Sequence, residues 1–329
     1  MSTQQIRVGI AGYGNLGRGV EASIAQSPDM KLVGVFTRRA PETLQILSPH
    51  VPVRSFSELP SLRDEIDVLI LCGGSHKDLP VQGPELAAYF NTVDSFDTHA
   101  KIPEYFAALD EVAQRSGKVA LLAVGWDPGM FSLNRLFGEA ILPVGETYTF
   151  WGRGLSQGHS DAVRRVPGVK HGVQYTIPSE DAMARVRAGE NPTLSTREKH
   201  QRQVFVVLHE GADAAQVERD IVTMPNYFAD YDTSVNVISE EVMAAEHSAM
   251  PHGGFVIRSG TTGQGHHQVN EYAIKLGSNP EFTASVLVAY ARAVFRLSQK
   301  GTKGAHTVFD VPPGLLSPKS PEALRKELL

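Results

Sequence analysis

Apolar and polar positions divide the chain into two rhythms. In the N-terminal part, short apolar runs alternate with segments whose apolar residues return at helical spacing, the pattern of a β-α-β series. Ile6–Ala11 is the first run and residues 32–36 the second, with a helical stretch over 18–25 that stops before Ser27-Pro28. Residues 68–72, 92–95 and 119–124 continue the strand series. Helices are predicted over 84–90 and over 103–115, the latter opened by Pro103 and ended by Gly117. This alternation predicts an α/β fold, a Rossmann-type doubly wound, mostly parallel sheet with helices on both faces.

Past Met130 the rhythm changes. Strands are predicted at 147–151, 172–177, 202–208 and 235–239, with a helix over 214–221 and a hairpin of 255–259 with 268–276. Residues 188–200 are polar, contain Gly189 and Pro192, and read as an exposed loop. A strong amphipathic helix over 282–299 and a late strand at 307–311 then return to the first fold. The expected organisation is a dinucleotide-binding domain over 1–130, an inserted α+β substrate and dimerisation domain over 131–280, and a returning segment over 281–329.

Composition narrows the function. A formal charge of −5 gives no reason to expect nucleic acid or an anionic membrane as partner. No apolar stretch reaches the length of a membrane span. A strand beginning by Ile6 leaves no room for a signal peptide, and a single cysteine, Cys72, fits a reducing cytoplasm. Twelve histidines show no metal-ligand spacing and no GxSxG element occurs, so neither a metal site nor a serine triad is expected.

Between the first strand and its helix stands Gly12-Tyr13-Gly14-Asn15-Leu16-Gly17. In that context Gly12 permits the tight turn, Gly14 lets the backbone approach a pyrophosphate, and Gly17 lets helix and strand pack closely. The helix N-terminus adds unpaired N–H groups for phosphates. At the end of the second strand an NAD site usually carries an acid for the ribose hydroxyl; here stand Thr37-Arg38-Arg39. Two guanidinium groups suit a 2′-phosphate, so NADP is the expected cofactor. Cys72-Gly73-Gly74-Ser75 closes the next strand with small residues able to approach the nicotinamide side.

Two further strands end in polar clusters, Asp94-Ser95-Phe96-Asp97-Thr98-His99 and Val124-Gly125-Trp126-Asp127-Pro128-Gly129. Ligands of open α/β sheets bind outside the carboxyl ends of strands, which places Asp97 and Asp127 where a substrate amine would want acceptors. Asp127 could equally shape its Pro-Gly turn and Asp94 cap a loop. In the second block Gln157, Gly158 and neighbouring amides could receive a carboxylate, or the stretch could be a helix entry capped by Ser160 or Asp161. Arg202 lies beside Lys199 and His200 in a basic stretch that on spacing alone reads as a solvated face.

The runs Gly12–Gly17, Val93-Asp-Ser-Phe-Asp97, Gly125-Trp-Asp-Pro-Gly-Met130, Gly154-Leu-Ser-Gln-Gly-His-Ser-Asp161 and Met250-Pro-His-Gly-Gly254 together resemble the meso-diaminopimelate dehydrogenase family over nearly the whole chain. The glycine loop is shared by many families; the GWDPGM and GLSQGHSD runs are far more specific. The resemblance implies a homodimer that uses NADP to deaminate the D-centre of meso-2,6-diaminopimelate oxidatively, giving L-2-amino-6-oxopimelate, which cyclises to tetrahydrodipicolinate, and ammonia. It implies coenzyme binding by Gly12–Gly17, Thr37, Arg38, Arg39, Cys72, Gly73, Gly74, Ser75, Ser95, Phe96, Asp97 and the run from Val124 to Pro128. It assigns Asp97, Asp127, Trp151, Gln157, Gly158, Thr176, Arg202, His252 and Asn279 to the substrate, with Asp97, Asp127 and Gln157 at the reacting D-amino acid end and Thr176, Arg202, His252 and Asn279 at the distant L-end. Ala100-Lys101 departs from the more acidic continuation the resemblance leads one to expect. A two-domain dehydrogenase of another D-amino acid and a non-catalytic NADP-binding redox sensor are the rival readings.

Overall fold

The computed structural model describes residues 5–329. In chain order the elements are β1 (Ile6–Ala11), α1 (Asn15–Ala25), β2 (Met30–Thr37), β3 (Val53–Ser55), β4 (Val68–Leu71), α2 (Leu79–Ala87), β5 (Thr92–Asp94), α3 (Ile102–Ser116), β6 (Val119–Leu121) and α4 (Met130–Ile141). There follow β7 (Gly145–Trp151), β8 (Gly154–Leu155), α5 (Gln157–Arg164), β9 (Val169–Pro178), α6 (Glu180–Arg187), α7 (Thr196–Lys199), β10 (His200–Leu208), α8 (Ala214–Val222), β11 (Asp232–Val237), α9 (Glu240–Glu246), β12 (His252–Thr261) and β13 (His267–Leu276). The chain ends with α10 (Asn279–Gln299), β14 (Gly304–His306) and α11 (Pro321–Leu328). It forms two units: one runs to Leu133 and resumes at Pro280, the other is Asn134–Asn279.

The first unit is built on a seven-stranded sheet in the order β14-β6-β5-β4-β1-β2-β3, with every pair parallel. Side chains alternate across a strand, so each strand feeds two cores. Val8, Ile10, Val68, Ile70, Val119 and Leu121 pack with residues of α1 and α10. Leu69, Leu71 and Ala120 face the other way, toward Leu86 of α2 and Tyr105 and Leu109 of α3. Burial on both faces is why these strands read as continuous apolar runs. Arg292 of α10 grips Asp29 with two hydrogen bonds of 2.6 and 2.8 Å, fastening the returning helix to the turn before β2.

The second unit holds a four-stranded sheet, β11-β10-β9-β8, and a three-stranded sheet, β13-β12-β7. All pairs are antiparallel except β10 with β11. The first sheet packs Val204 and Val206 against Val163 of α5 and Ile221 of α8. The second packs Phe150 and Ile257 against Met183 and Val186 of α6.

Several expected elements fall differently. The late strand is β14 at Gly304–His306, not 307–311, because Thr307 and Asp310 form a capping box that turns the chain into a 3-10 helix over Val308–Asp310. The helix expected at Pro84 begins at Leu79, with Pro80 in its first turn, and carries Pro84 inside it. The loop expected at 188–200 ends in the short α7, started by a Ser195–Glu198 capping box, and His200 is a buried strand residue. β6 stops at Leu121, before Ala123 takes a left-handed φ of 57°.

Candidate active site

Because the seven strands run parallel, all their carboxyl ends lie along one edge, and the polar runs of the first unit follow these ends. The glycine loop leaves β1. Gly12 has a φ of +93°, a left-handed value that suits glycine, and its N–H donates to Phe36 O at 2.8 Å. A Cβ on Gly17 would stand 2.4 Å from Gly12 O, so only hydrogen lets α1 start this close to the loop. A Cβ on Gly14 would meet nothing within 4 Å, which leaves the backbone at the head of α1 open to approach.

Tyr13 turns inward, its hydroxyl 2.5 Å from the buried Glu21 carboxylate, which also accepts the N–H groups of Leu47 and Ser48 at 3.1 and 2.6 Å. Burial pushes the Glu21 pKa up, but these donors outweigh it and hold the group below the usual carboxylate range. Burial, with the Glu21 bond and charge, pushes the Tyr13 phenol up to about 12. The loop's shape is thus locked by an ionised acid beneath it.

Arg38 and Arg39 follow β2, whose last residue is the buried Thr37. Arg39 donates to Tyr13 O at 2.6 Å and so lies against the glycine loop. Arg38 pairs with Asp78 at 2.8 Å, while the other Asp78 oxygen accepts the Gly74 N–H at 2.8 Å. The Gly74 bond, then Arg38, holds the Asp78 carboxyl below its ordinary range. Asp78 therefore joins the basic turn after β2 to the Cys72–Ser75 turn after β4, a link that sequence spacing did not signal. Burial pushes the Cys72 thiol pKa up, which keeps it un-ionised.

These residues fit an NADP dinucleotide: an open glycine turn at a helix N-terminus, two guanidinium groups after β2, and no acid there.

Asp97 and Asp127 leave the neighbouring strands β5 and β6. Asp97 is exposed, and its N–H donates to Ser75 Oγ at 2.8 Å. Asp127 is half-buried, joined by a cis peptide to Pro128, in a turn closed by a Trp126–Gly129 bridge with Trp126 edge-on to Phe131. Asp94 is the buried member, 1% exposed. Its carboxylate accepts the Phe96 N–H at 2.9 Å, the Ala123 N–H at 3.4 Å and the Tyr105 hydroxyl at 2.8 Å, tying the exits of both strands together. Desolvation pushes it up to about 6 against these donors.

In the second unit Trp151 ends β7, His252 begins β12, and Thr176 pairs with both Gly154 and Arg202. The two sheets meet here: Gly152 N–H donates to Gly253 O and Leu155 N–H to Pro251 O, each at 2.9 Å. A Cβ on Gly154 would strike the His252 ring at 2.4 Å, so the missing side chain makes room for the imidazole. Gln157 opens α5 after Ser156, displacing the caps expected at Ser160 or Asp161. Gly158 follows it, with open space where a side chain would stand. Gln157 Nε2 lies 3.3 Å from Met250 Sδ, and Met250 O accepts the Asn279 N–H at 2.9 Å, drawing these two expected substrate residues to one place.

Arg202 is not on a solvated face. It is 7% exposed, donates to Thr176 Oγ1, and lies with Cζ 3.9 Å over the Tyr231 ring. Its Nε has no partner in the protein, and among the described residues no carboxylate pairs with it. Burial lowers its pKa, opposed by the Tyr231 phenol. A buried guanidinium without a counter-charge is costly unless an anion completes it. His200, read from sequence as part of a loop, accepts the Trp151 N–H at Nε2 (2.9 Å) and stacks on its ring. Burial, then the charges of Arg202 and Lys199, pulls its pKa to about 3, so it is a neutral acceptor. No local sequence signal marked Tyr231 or His200.

Residues 125–278 match the family model of the diaminopimelic acid dehydrogenase C-terminal domain. The chain is 67% identical over 325 residues to a meso-diaminopimelate D-dehydrogenase of Ureibacillus thermosphaericus, covering 99% of each sequence. Corynebacterium glutamicum DAP dehydrogenase in complex with DAP has a similar structure, with a TM-score of 0.91, 48% identity and complete coverage of both chains. An engineered D-amino acid dehydrogenase bound to NADP+ superposes with a TM-score of 0.85 at 47% identity, over 99% of this chain and 100% of that one. Similarity of this degree along the whole chain, on top of the glycine turn and the carboxylates after β5 and β6, places the protein in the meso-diaminopimelate D-dehydrogenase family.

Proposed function

We infer that the chain is an NADP-dependent oxidoreductase acting on a CH–NH2 group: it deaminates the D-centre of meso-2,6-diaminopimelate to L-2-amino-6-oxopimelate and ammonia, reversibly, in lysine and diaminopimelate biosynthesis. Identity of 67% to a D-dehydrogenase of this substrate across nearly every residue carries the reading.

NADP+, which the Gly12–Gly17 turn with Arg38 and Arg39 would hold, would supply the hydride acceptor for the D-carbon. The residues around it hold and prepare the substrate. Asp97 and Asp127 accept hydrogen bonds from the reacting ammonium, and one of them, directly or through water, takes its proton. The freed lone pair forms the C=N bond as the C–H bond breaks, and water then displaces ammonia. Gln157 and the amides at Gly158 receive the adjacent carboxylate, while Trp151 walls that end. At the far end Arg202, Thr176 and His252 hold the second carboxylate and Asn279 faces the second amine. A substrate with two zwitterionic ends needs acceptors and donors at each. The buried, acid-free guanidinium of Arg202 supports this assignment most directly. The first unit serves the dinucleotide, and the second serves the substrate and a homodimer contact, in the cytoplasm. Among the described residues no helix is long and apolar enough to cross a membrane.

The test is NADPH formation at alkaline pH with meso-diaminopimelate, beside NAD+ and the LL- and DD-isomers. Turnover confined to NADP+ and to substrates with a D-centre is expected. Equal use of NAD+ would overturn the role of Arg38 and Arg39, and no turnover would overturn the substrate.

A further inference from the structure

A residue outside the set that family resemblance supplies, Tyr231, lies against the Arg202 guanidinium. A guanidinium is planar and its five donors point outward in that plane. Whether it meets a carboxylate edge-on, with two parallel bonds, or presents its donor-free face depends on what fixes the plane.

In this protein one arm of Arg202 is held by Thr176 Oγ1, and a single arm still allows the plane to rotate. The second constraint is Tyr231, whose ring centre lies 3.9 Å from Arg202 Cζ. Tyr231 is itself anchored: its N–H donates to Phe228 O at 2.9 Å, and Phe228 is buried in the core beneath α8. The residue two positions on, Thr233, pairs in register with Arg202 across β10 and β11. The ring is therefore fixed to the same sheet as the guanidinium it covers. With Nε unpartnered and no carboxylate paired to the side chain, the edge left over is the one a ligand would use.

We propose that Tyr231 is a positioning residue for the substrate: its ring is the platform that turns the edge of Arg202 toward the distal carboxylate. The proposal rests on the reading of Arg202 given above. Tyr231 does not touch the reacting atoms, so it acts on binding and not on the chemical step.

The experiment is steady-state kinetics of the full-length enzyme with Tyr231→Leu, Tyr231→Phe, Arg202→Met and the Tyr231→Leu/Arg202→Met pair. Tyr231→Met, which is unbranched and reaches further from the backbone, replaces Tyr231→Leu should the latter not fold. Loss of the platform is expected to raise KM for meso-diaminopimelate about tenfold, the scale of a desolvated cation–ring contact. kcat and KM for NADP+ should stay within about twofold. Tyr231→Phe keeps the ring but not the hydroxyl that also acts on Arg202, and should retain most of the parent's affinity. In the Arg202→Met background Tyr231→Leu should add nothing, because no guanidinium remains to be aimed. An unchanged KM, a parallel loss of kcat and NADP+ affinity, or additive effects in the double variant would each overturn the proposal. A parent enzyme inactive with meso-diaminopimelate would instead sink the substrate reading itself.

Discussion

At the scale of single residues, His200 beneath Trp151 is held in one protonation state by its surroundings. His200 keeps Nε2 as an acceptor for the Trp151 N–H, and its pKa is drawn to about 3 by burial and neighbouring cations. Protonation would set two donors face to face. A histidine depressed in the fold contributes stability that is full above its unfolded value of about 6.5 and is lost as pH falls toward the folded value. At about 1.4 kcal/mol per unit, the loss for His200 approaches 4–5 kcal/mol in strong acid. Asp94 runs the other way: raised to about 6, it favours folding by up to about 3 kcal/mol as pH drops below that value. Asp94 belongs to the first unit, whereas His159, at about 4 through burial and Arg202, lies with His200 in the second, so the second unit should be acid-labile. With Trp126→Phe leaving Trp151 as the sole tryptophan, its fluorescence reports unfolding there. The denaturant midpoint should fall between pH 7 and 4.5, and His200→Gln, which keeps an acceptor, should flatten that fall; superimposable profiles would refute the assignment. Little of this was legible in sequence. Lys199-His200-Gln-Arg202 reads as a basic surface run, and only the pairing of β10 between β9 and β11 buries its alternate members.

At the scale of elements, the strands were legible and several of their ends were not. Both faces of the parallel sheet are covered, so apolar runs identify its strands, whereas ends are set by local side-chain bonds that periodicity does not see. Thr307 and Ser195 each start a helical turn through a capping box, one replacing a supposed strand and the other the end of a supposed loop. Asp94 was read as a loop cap, and it holds two strand exits at once. Three donors converge on its carboxylate, from Phe96, Ala123 and Tyr105. Asp94→Asn can keep all three contacts, since its amide oxygen serves the backbone donors and the Tyr105 hydroxyl can rotate to accept from the amide nitrogen. Asp94→Ala leaves buried donors unmet at about 1–3 kcal/mol each, partly relieved by water. The expected outcome is a thermal midpoint for Asp94→Asn close to the parent and one for Asp94→Ala lower by roughly 5–10 °C. Activity should follow, because Asp97 and Asp127 lie just beyond the tied exits. Should Asp94→Ala melt with the parent, the tether would have no energetic weight.

At the scale of the molecule, the change of rhythm after Met130 and the returning amphipathic helix pointed to an insertion, since a β-α-β series that is interrupted and then resumed leaves its last helix and strand to complete the first sheet. The structure has that sheet completed by β14, with α10 covering one face. A single chain's sequence carries no comparable signal for self-association, because an interface stripe and a core stripe look alike. The folded second unit separates them. Phe137 and Ile141, one turn apart on α4, and Val144 just beyond it remain exposed, whereas Val163 of α5, Met183 and Val186 of α6, and Val217 and Ile221 of α8 are buried. Uncovered apolar side chains grouped at one helix end are what a second copy would cover in the homodimer proposed above. Light scattering at micromolar concentration should therefore give about twice the chain mass of 35.7 kDa. Ile141→Glu with Val144→Glu should move the population toward the monomer while the thermal midpoint of the diluted, monomeric protein stays unchanged, since neither side chain contributes to its core. A parent protein of 35.7 kDa would refute the dimer. A dimer indifferent to the two charges would place its contact on another face, because burying unpaired carboxylates in an interface is costly.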